Sequence, residues 1–205
     1  MIDTYYIGGS PCSGKSTIAE ALSKKYNLHY FKVDDYLDRY MKLGATNKKE
    51  ICLKVETMNP EQIWMREPLV QCKEELLIYE EIFAFILEDL KQIDCKNGII
   101  TEGAAYLPKL AKSFNIPSER YISITPSKEF QIFHYSKREW VPYVLAECSN
   151  KEKAFENWMN RDVLFAEAVQ QQCKELGYVS LINNGELTVE ELISKVITHF
   201  GLGGR

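Results

Sequence analysis

The chain has 205 residues, of which 45% are apolar and 26% charged, and carries a formal net charge of −4. That is material for one sizeable core but short for two, so a single domain over residues 1–205, enlarged by inserted helices, is expected. Acidic and basic residues are interspersed throughout, which leaves no basic face for nucleic acid or an anionic membrane, and no apolar run approaches the roughly 20 residues that span a bilayer, so a cytoplasmic monomer or homodimer is expected.

Thr4-Tyr5-Tyr6-Ile7 is β-branched and aromatic and ends in glycines; Ile18, Ala19 and Leu22 follow at helical spacing, predicting strand, turn and helix. Leu28 to Val33 is the second strand, separated from the first by a helix long enough for a parallel crossover. After Asp34-Asp35 the chain reads helical to about Lys42, then polar from Gly44 to Asn59. Asn59-Pro60-Glu61-Gln62 has the form of a helix start, and Leu76, Tyr79, Phe83, Ile86, Leu90 and Ile93 continue as one long helix, with a break marked at Pro68. Gly98 to Gly103 is a third strand that stops at an acid, and Arg120 to Thr125 a fourth, closed by Pro126.

Helical spacing returns from Ser127 to about Arg138, stalls around Pro142 and Ser149-Asn150, and resumes from Phe155 to Leu176. Tyr178 to Ile182 makes a fifth strand, and the capping box at Thr188–Glu191 opens a last helix, Leu192 to Phe200. Strands alternating with helices predict an α/β fold with a parallel sheet covered on both faces, a three-layer α/β/α arrangement. The six cysteines, at positions 12, 52, 72, 95, 148 and 173, show no CxxC spacing, which suits reduced thiols better than a disulfide frame or a zinc site.

Gly9-Ser10-Pro11-Cys12-Ser13-Gly14-Lys15-Ser16, followed by Thr17, fits GxxxxGK[ST], after an apolar strand and before a helix. Glycines let such a loop curl until successive N–H groups point inward, and the helix beginning there adds its positive end. The expected occupant is the phosphate chain of ATP with Mg²⁺: Lys15 reaches the β- and γ-phosphates and the Ser16 hydroxyl is a metal ligand. Cys12 stands near a helix N-terminus, where a thiol's pKa can be lowered, but small size accounts for it as well.

A magnesium–nucleotide site needs a second acid at the end of a neighbouring strand, and Glu102, just before Gly103, is the candidate. Phosphoryl transfer needs a carboxylate at the acceptor hydroxyl; Asp34 and, in reserve, Asp35 sit at the strand edge where ligands of open α/β sheets bind, although either could cap the next helix. Arg138 and Arg161 flank an irregular stretch, so residues 137–162 could close as a lid that brings arginines to the transferred group; a solvated surface role is the alternative. Arg39 and Arg66 could bind an anionic acceptor or simply be solvated.

Taken in order, GGSPCSGKST, KVDDYLDRY, IITEGAAYLP and a basic helical segment resemble a P-loop kinase of the nucleoside/nucleotide–shikimate–gluconate kinase group, over essentially the whole chain. The resemblance implies a P-loop NTPase fold with strand order 2-3-1-4-5, a helical lid, a helical acceptor-binding insert over residues 44–97, and ATP-dependent phosphorylation of a small-molecule acceptor. It also implies that Lys15, Asp34 or Asp35, Arg138 and Arg161 carry the chemistry. Asp34-Asp35-Tyr36 is similar to the Asp-x-Phe-Tyr of uridine kinases, and Glu102-Gly103 resembles their Glu-Gly, which places Tyr36, Glu102 and Gly103 near the acceptor; the insert matches no acceptor signature. Rival readings are a GTPase switch, which lacks its NKxD and DxxG here, a remodelling ATPase of the AAA kind, which would want Asp-Glu at the third strand, and a nucleotide-binding module without catalysis.

Overall fold

A computed structural model of the chain describes residues 3–204. Five strands, β1 (Thr4–Gly8), β2 (His29–Lys32), β3 (Ile99–Glu102), β4 (Tyr121–Pro126) and β5 (Val179–Asn183), form one all-parallel sheet in the order β2-β3-β1-β4-β5. The register pairs Ile7 and Lys32 with Glu102 and, across the sheet, Pro126 with Asn183, so the strands end together along one edge.

Side chains alternate across each strand, and the alternation sorts them into two cores. Tyr5, Ile7, Ile100, Ile122 and Ile124 pack on one face against Ile18 and Leu22 of α1 (Lys15–Tyr26) and Val196 and Phe200 of α10 (Val189–Phe200). Ile99, Tyr121 and Tyr106 face the other way, onto Ile82 and Phe83 of α5 (Pro68–Gln92) and Phe165 of α9 (Lys151–Leu176). Full burial of a side chain such as Phe83 or Phe165 contributes about 1.5–3 kcal/mol, so both faces hold the sheet. A third, smaller cluster, Tyr135, Val141, Leu145, Trp158 and Met159, joins α7 (Lys128–Tyr135) and the single turn α8 (Val141–Val144) to α9. Among the described residues no helix is long and apolar enough to cross a membrane.

The region between β2 and β3 departs from the sequence expectation. After a 3₁₀ turn over Val33–Tyr36, α2 runs Leu37–Thr46, beyond Lys42, and the polar segment holds a further helix, α3 (Glu50–Glu56). Helix α3 has no capping side chain of its own; Glu81, on α5, accepts hydrogen bonds from the N–H groups of Ile51 and Cys52, 3.0 and 2.9 Å away. A cap supplied from 30 residues downstream leaves no local signal. The helix expected from Asn59 is two helices: the Asn59–Gln62 capping box starts only α4 (Pro60–Trp64), and Pro68, in the first turn of α5, begins a new helix where its missing N–H costs nothing. A short α6 (Pro108–Ser113), also begun by proline, went unexpected, and Asn150 and Thr188 cap α9 and α10.

Candidate functional site

The loop between β1 and α1 is held in its curl by backbone that only glycine tolerates. Gly9 has φ +119°, and a Cβ there would fall 1.9 Å from the carbonyl oxygen of Ile124; Gly14, at the head of α1, has φ +89°. Cys12 also has positive φ, 60°. From the far strand, Asn183 Nδ2 donates to Ser13 O at 3.1 Å, so β4 and β5 together brace the loop.

Lys15 is buried and bends back into the curl, its ammonium donating to Ser10 O at 2.7 Å and reaching Ser13 Oγ at 3.4 Å. One turn of backbone thus holds a positive charge at the head of α1, the kind of arrangement that suits an oxyanion. Ser16 Oγ, one residue on, donates to Glu102 Oε1 at 3.0 Å, and Tyr30 OH donates to the same oxygen at 3.0 Å. Glu102 is 1% exposed. Burial pushes its carboxyl up from the usual glutamate range, an effect that Lys15 opposes and the charge of Asp34 reinforces. Burial and Glu102 in turn push the Tyr30 phenol far up, so Tyr30 stays a donor.

These groups line a cavity of about 370 Å³ together with Lys32, Asp34, Arg138 and Trp140. It adjoins a recess of about 430 Å³ that shares Cys12, Gly14, Thr17 and Arg138 and is otherwise walled by Phe130, His134, Val189 and Leu192. Ser10, Pro11, Ser13 and Thr17 belong to the same loop and helix start, and apart from Ser10 each lines the first cavity. Arg138 stacks near the rings of Tyr135 and Trp140, 4.9 and 5.4 Å from their centroids. Burial raises the Cys12 thiol although Arg138 and Lys15 pull the other way, so Cys12 is held as a thiol.

Other expected residues lie elsewhere. Asp35 is exposed and pairs with Lys32 at 3.1 Å, leaving Asp34 as the acid that faces the cavity. Tyr36 stacks on Phe31, 5.1 Å between centroids, and Arg39 pairs with Asp89, which also accepts from Tyr40 OH at 2.5 Å. Gly103 packs its backbone on Val33, where a Cβ would come within 2.7 Å. Arg66 pairs with Glu74, to which Lys54 also binds at 2.5 Å. Arg161 does not join Lys15: it is buried, 2.5 Å from Glu75 and 2.6 Å from Asp162, and borders a third cavity of about 350 Å³ among α2, α3, α4, α5 and α9. Asp162 is wholly buried, and burial raises its carboxyl in spite of Arg161.

Asp34 lines the first cavity, and Leu37 and Asp38, which follow it in the chain, line the third. Sequence reasoning missed Tyr30, Lys32 and Asn183. All three stand at or near the carboxyl ends of strands, and Lys32 is in register with Glu102, so the rule that ligands gather at that edge was the signal available.

Among the described residues no cluster of three or more His, Cys, Asp or Glu side chains forms a ready-made metal cage. A hydroxyl and a carboxylate 3.0 Å apart beside a phosphate-sized curl nonetheless suit Mg²⁺, which keeps several waters and takes its remaining ligands from phosphate. No protein-family model matches the chain, and no curated protein matches it either.

Proposed function

We propose that this chain is a P-loop kinase that transfers the γ-phosphoryl group of ATP to a hydroxyl of a small molecule. The observation that carries the reading is the bond from Ser16 to the buried Glu102, directly beside the inward-turned Lys15 and across one cavity from Asp34. An anion-binding curl, a site for a hard cation and a free carboxylate then converge within about 370 Å³.

In this reading the triphosphate lies along residues 9–17 and exchanges its oxygens for the bonds Lys15 now makes to Ser10 and Ser13. The recess walled by Phe130 and Leu192 receives the base. Ser16 and Glu102 would hold magnesium brought in with ATP, which would supply charge neutralisation to the phosphates. Asp34 accepts the proton of the acceptor hydroxyl while that oxygen forms its bond to the γ-phosphorus, and the bond from γ-phosphorus to the bridging oxygen breaks to release ADP. Lys15 and Arg138 face the oxygens on which negative charge gathers, within a cavity that backbone and aromatic side chains shield from water.

Two measurements test this. Titration of the protein with ATP and magnesium should give a heat of association that disappears without the metal and in Lys15→Ala. Label from γ-³²P-ATP should then appear in an alcohol when the protein is incubated with mixed hydroxyl compounds. Absence of any heat with millimolar ATP and magnesium would overturn the proposal.

A further inference from the structure

The third cavity begins at Leu37 and Asp38, three and four residues after Asp34, and its walls combine apolar side chains with ion pairs. Leu37, Met41, Val55, Ile63, Trp64 and Ile78 form nearly half of the walls. Its two arginines are already neutralised: Arg66 by Glu74, and Arg161 by Glu75 and Asp162. Lys54 is spent on Glu74 as well. Asp38, also on the wall, makes no ion pair among the described residues, so the balance of charge on the walls of the cavity is negative.

One polar group is left over. Gln71 is 4% exposed, and its Nε2 donates to Arg66 O at 2.8 Å and more weakly to Trp64 O at 3.4 Å, which fixes the amide. Its Oε1 is buried and has no hydrogen-bond partner. A buried carbonyl oxygen without a donor costs free energy that a ligand's O–H or N–H would recover. The cavity therefore offers an apolar bed, an unmatched acceptor and no free cation.

Resting on the kinase reading above, we propose that this cavity binds the acceptor and that the acceptor is a compact, largely apolar alcohol with a further hydrogen-bond donor and no anionic group. A carboxylate or phosphate on it would have to displace Glu74 or Glu75 from its arginine, or lie unpaired in a negative pocket, and either is unfavourable. Nucleoside monophosphates and sugar acids are thereby disfavoured, whereas neutral diols and amino alcohols fit.

A matched set of probes tests the claim: phenylethanediol, phenylethanolamine and mandelate share a ring and a benzylic hydroxyl and differ only in whether the terminal group is neutral, cationic or anionic. Saturation-transfer NMR on the full chain without nucleotide should show the first two binding at millimolar concentration and mandelate not. Gln71→Leu should weaken both by about three- to tenfold, the value of one hydrogen bond. Because Gln71 also ties Arg66 and Trp64, Met41→Trp, which fills the cavity from α2 without touching those bonds, should abolish binding while leaving the heat of ATP association unchanged. The inference falls if mandelate binds as well as the diol, if none of the three binds, or if Met41→Trp leaves binding intact. Since the probes are read without nucleotide, a failure of ATP to bind would remove the kinase reading and leave this result standing.

Discussion

The loop cavity and the cavity among the inserted helices are assembled from opposite materials. The first is mostly contiguous chain: seven successive residues, 11–17, braced by the backbone of Ile124 and by Asn183 and closed by Glu102 from β3. The second draws on five helices and on side chains as far apart as Leu37 and Arg161, and its charges are consumed internally. On the proposed reading, the first keeps Lys15, bound only to neutral oxygens, for phosphate. A site that must sort neutral molecules by shape uses its ions as architecture.

That contrast predicts two kinds of mutant. Lys15→Ala should lower kcat/KM for phosphoryl transfer by about 10²- to 10³-fold through the loss of charge facing the transferred group, with thermal stability nearly unchanged. Asp34→Asn should lower kcat by about 10²-fold, because proton removal from the acceptor fails, while the ATP dissociation constant from calorimetry stays within about twofold of wild type. If Asp34→Asn instead weakened ATP binding and left kcat alone, Asp34 would belong to the loop cavity only and the division between the two regions would fail.

On the other side, Arg161→Met leaves the buried Asp162 and the partly buried Glu75 without their shared cation and should cost about 3–5 kcal/mol of stability in denaturant unfolding. The affinity for ATP and magnesium, measured below the lowered Tm, should be unchanged. A variant that unfolded normally but lost ATP binding would mean that Arg161 reaches the phosphates after all, and that the helical insert and the loop form one site.

The same contrast explains what could be read without coordinates. Local signals carried far: the five strands, the motif at residues 9–17, the caps at Asn59 and Thr188 and the strand-end position of Glu102 all rest on neighbours in sequence. The parallel sheet and its order, which the family resemblance implied, are present. What was not legible depends on distant partners: α3 is capped from α5 by Glu81, Arg66 and Arg39 are neutralised by Glu74 and Asp89, and Arg161 is turned inward by Glu75. A single arginine in a helix reads as solvated until the acid four turns away on another helix is known. Tyr30 was hidden for a different reason: its hydroxyl reaches Glu102 only because parallel register brings β2 and β3 into step.

The smallest effect bears on how the loop cavity tolerates its own acid. Because burial raises the Glu102 carboxyl above its unfolded value, the folded chain holds that proton more tightly than the unfolded one. The associated stability is fully present below the ordinary glutamate range and is lost as pH rises through the raised value. At neutral pH the ionised group is therefore a burden that Lys15 only partly relieves. Glu102→Gln keeps an oxygen for Ser16 and Tyr30 but removes the charge, so above the raised carboxyl range its Tm should exceed that of wild type. The difference should shrink as pH falls into the range where Glu102 is protonated, and the acids whose carboxyls are held low, such as Glu74 and Glu81, cancel because both proteins share them. The same variant should need more magnesium for half-maximal nucleotide binding. A Glu102→Gln protein no more stable than wild type above the raised carboxyl range would mean that the loop cavity bears no cost for its buried acid, and that its charge is balanced within the fold as fully as the arginines of the helical insert.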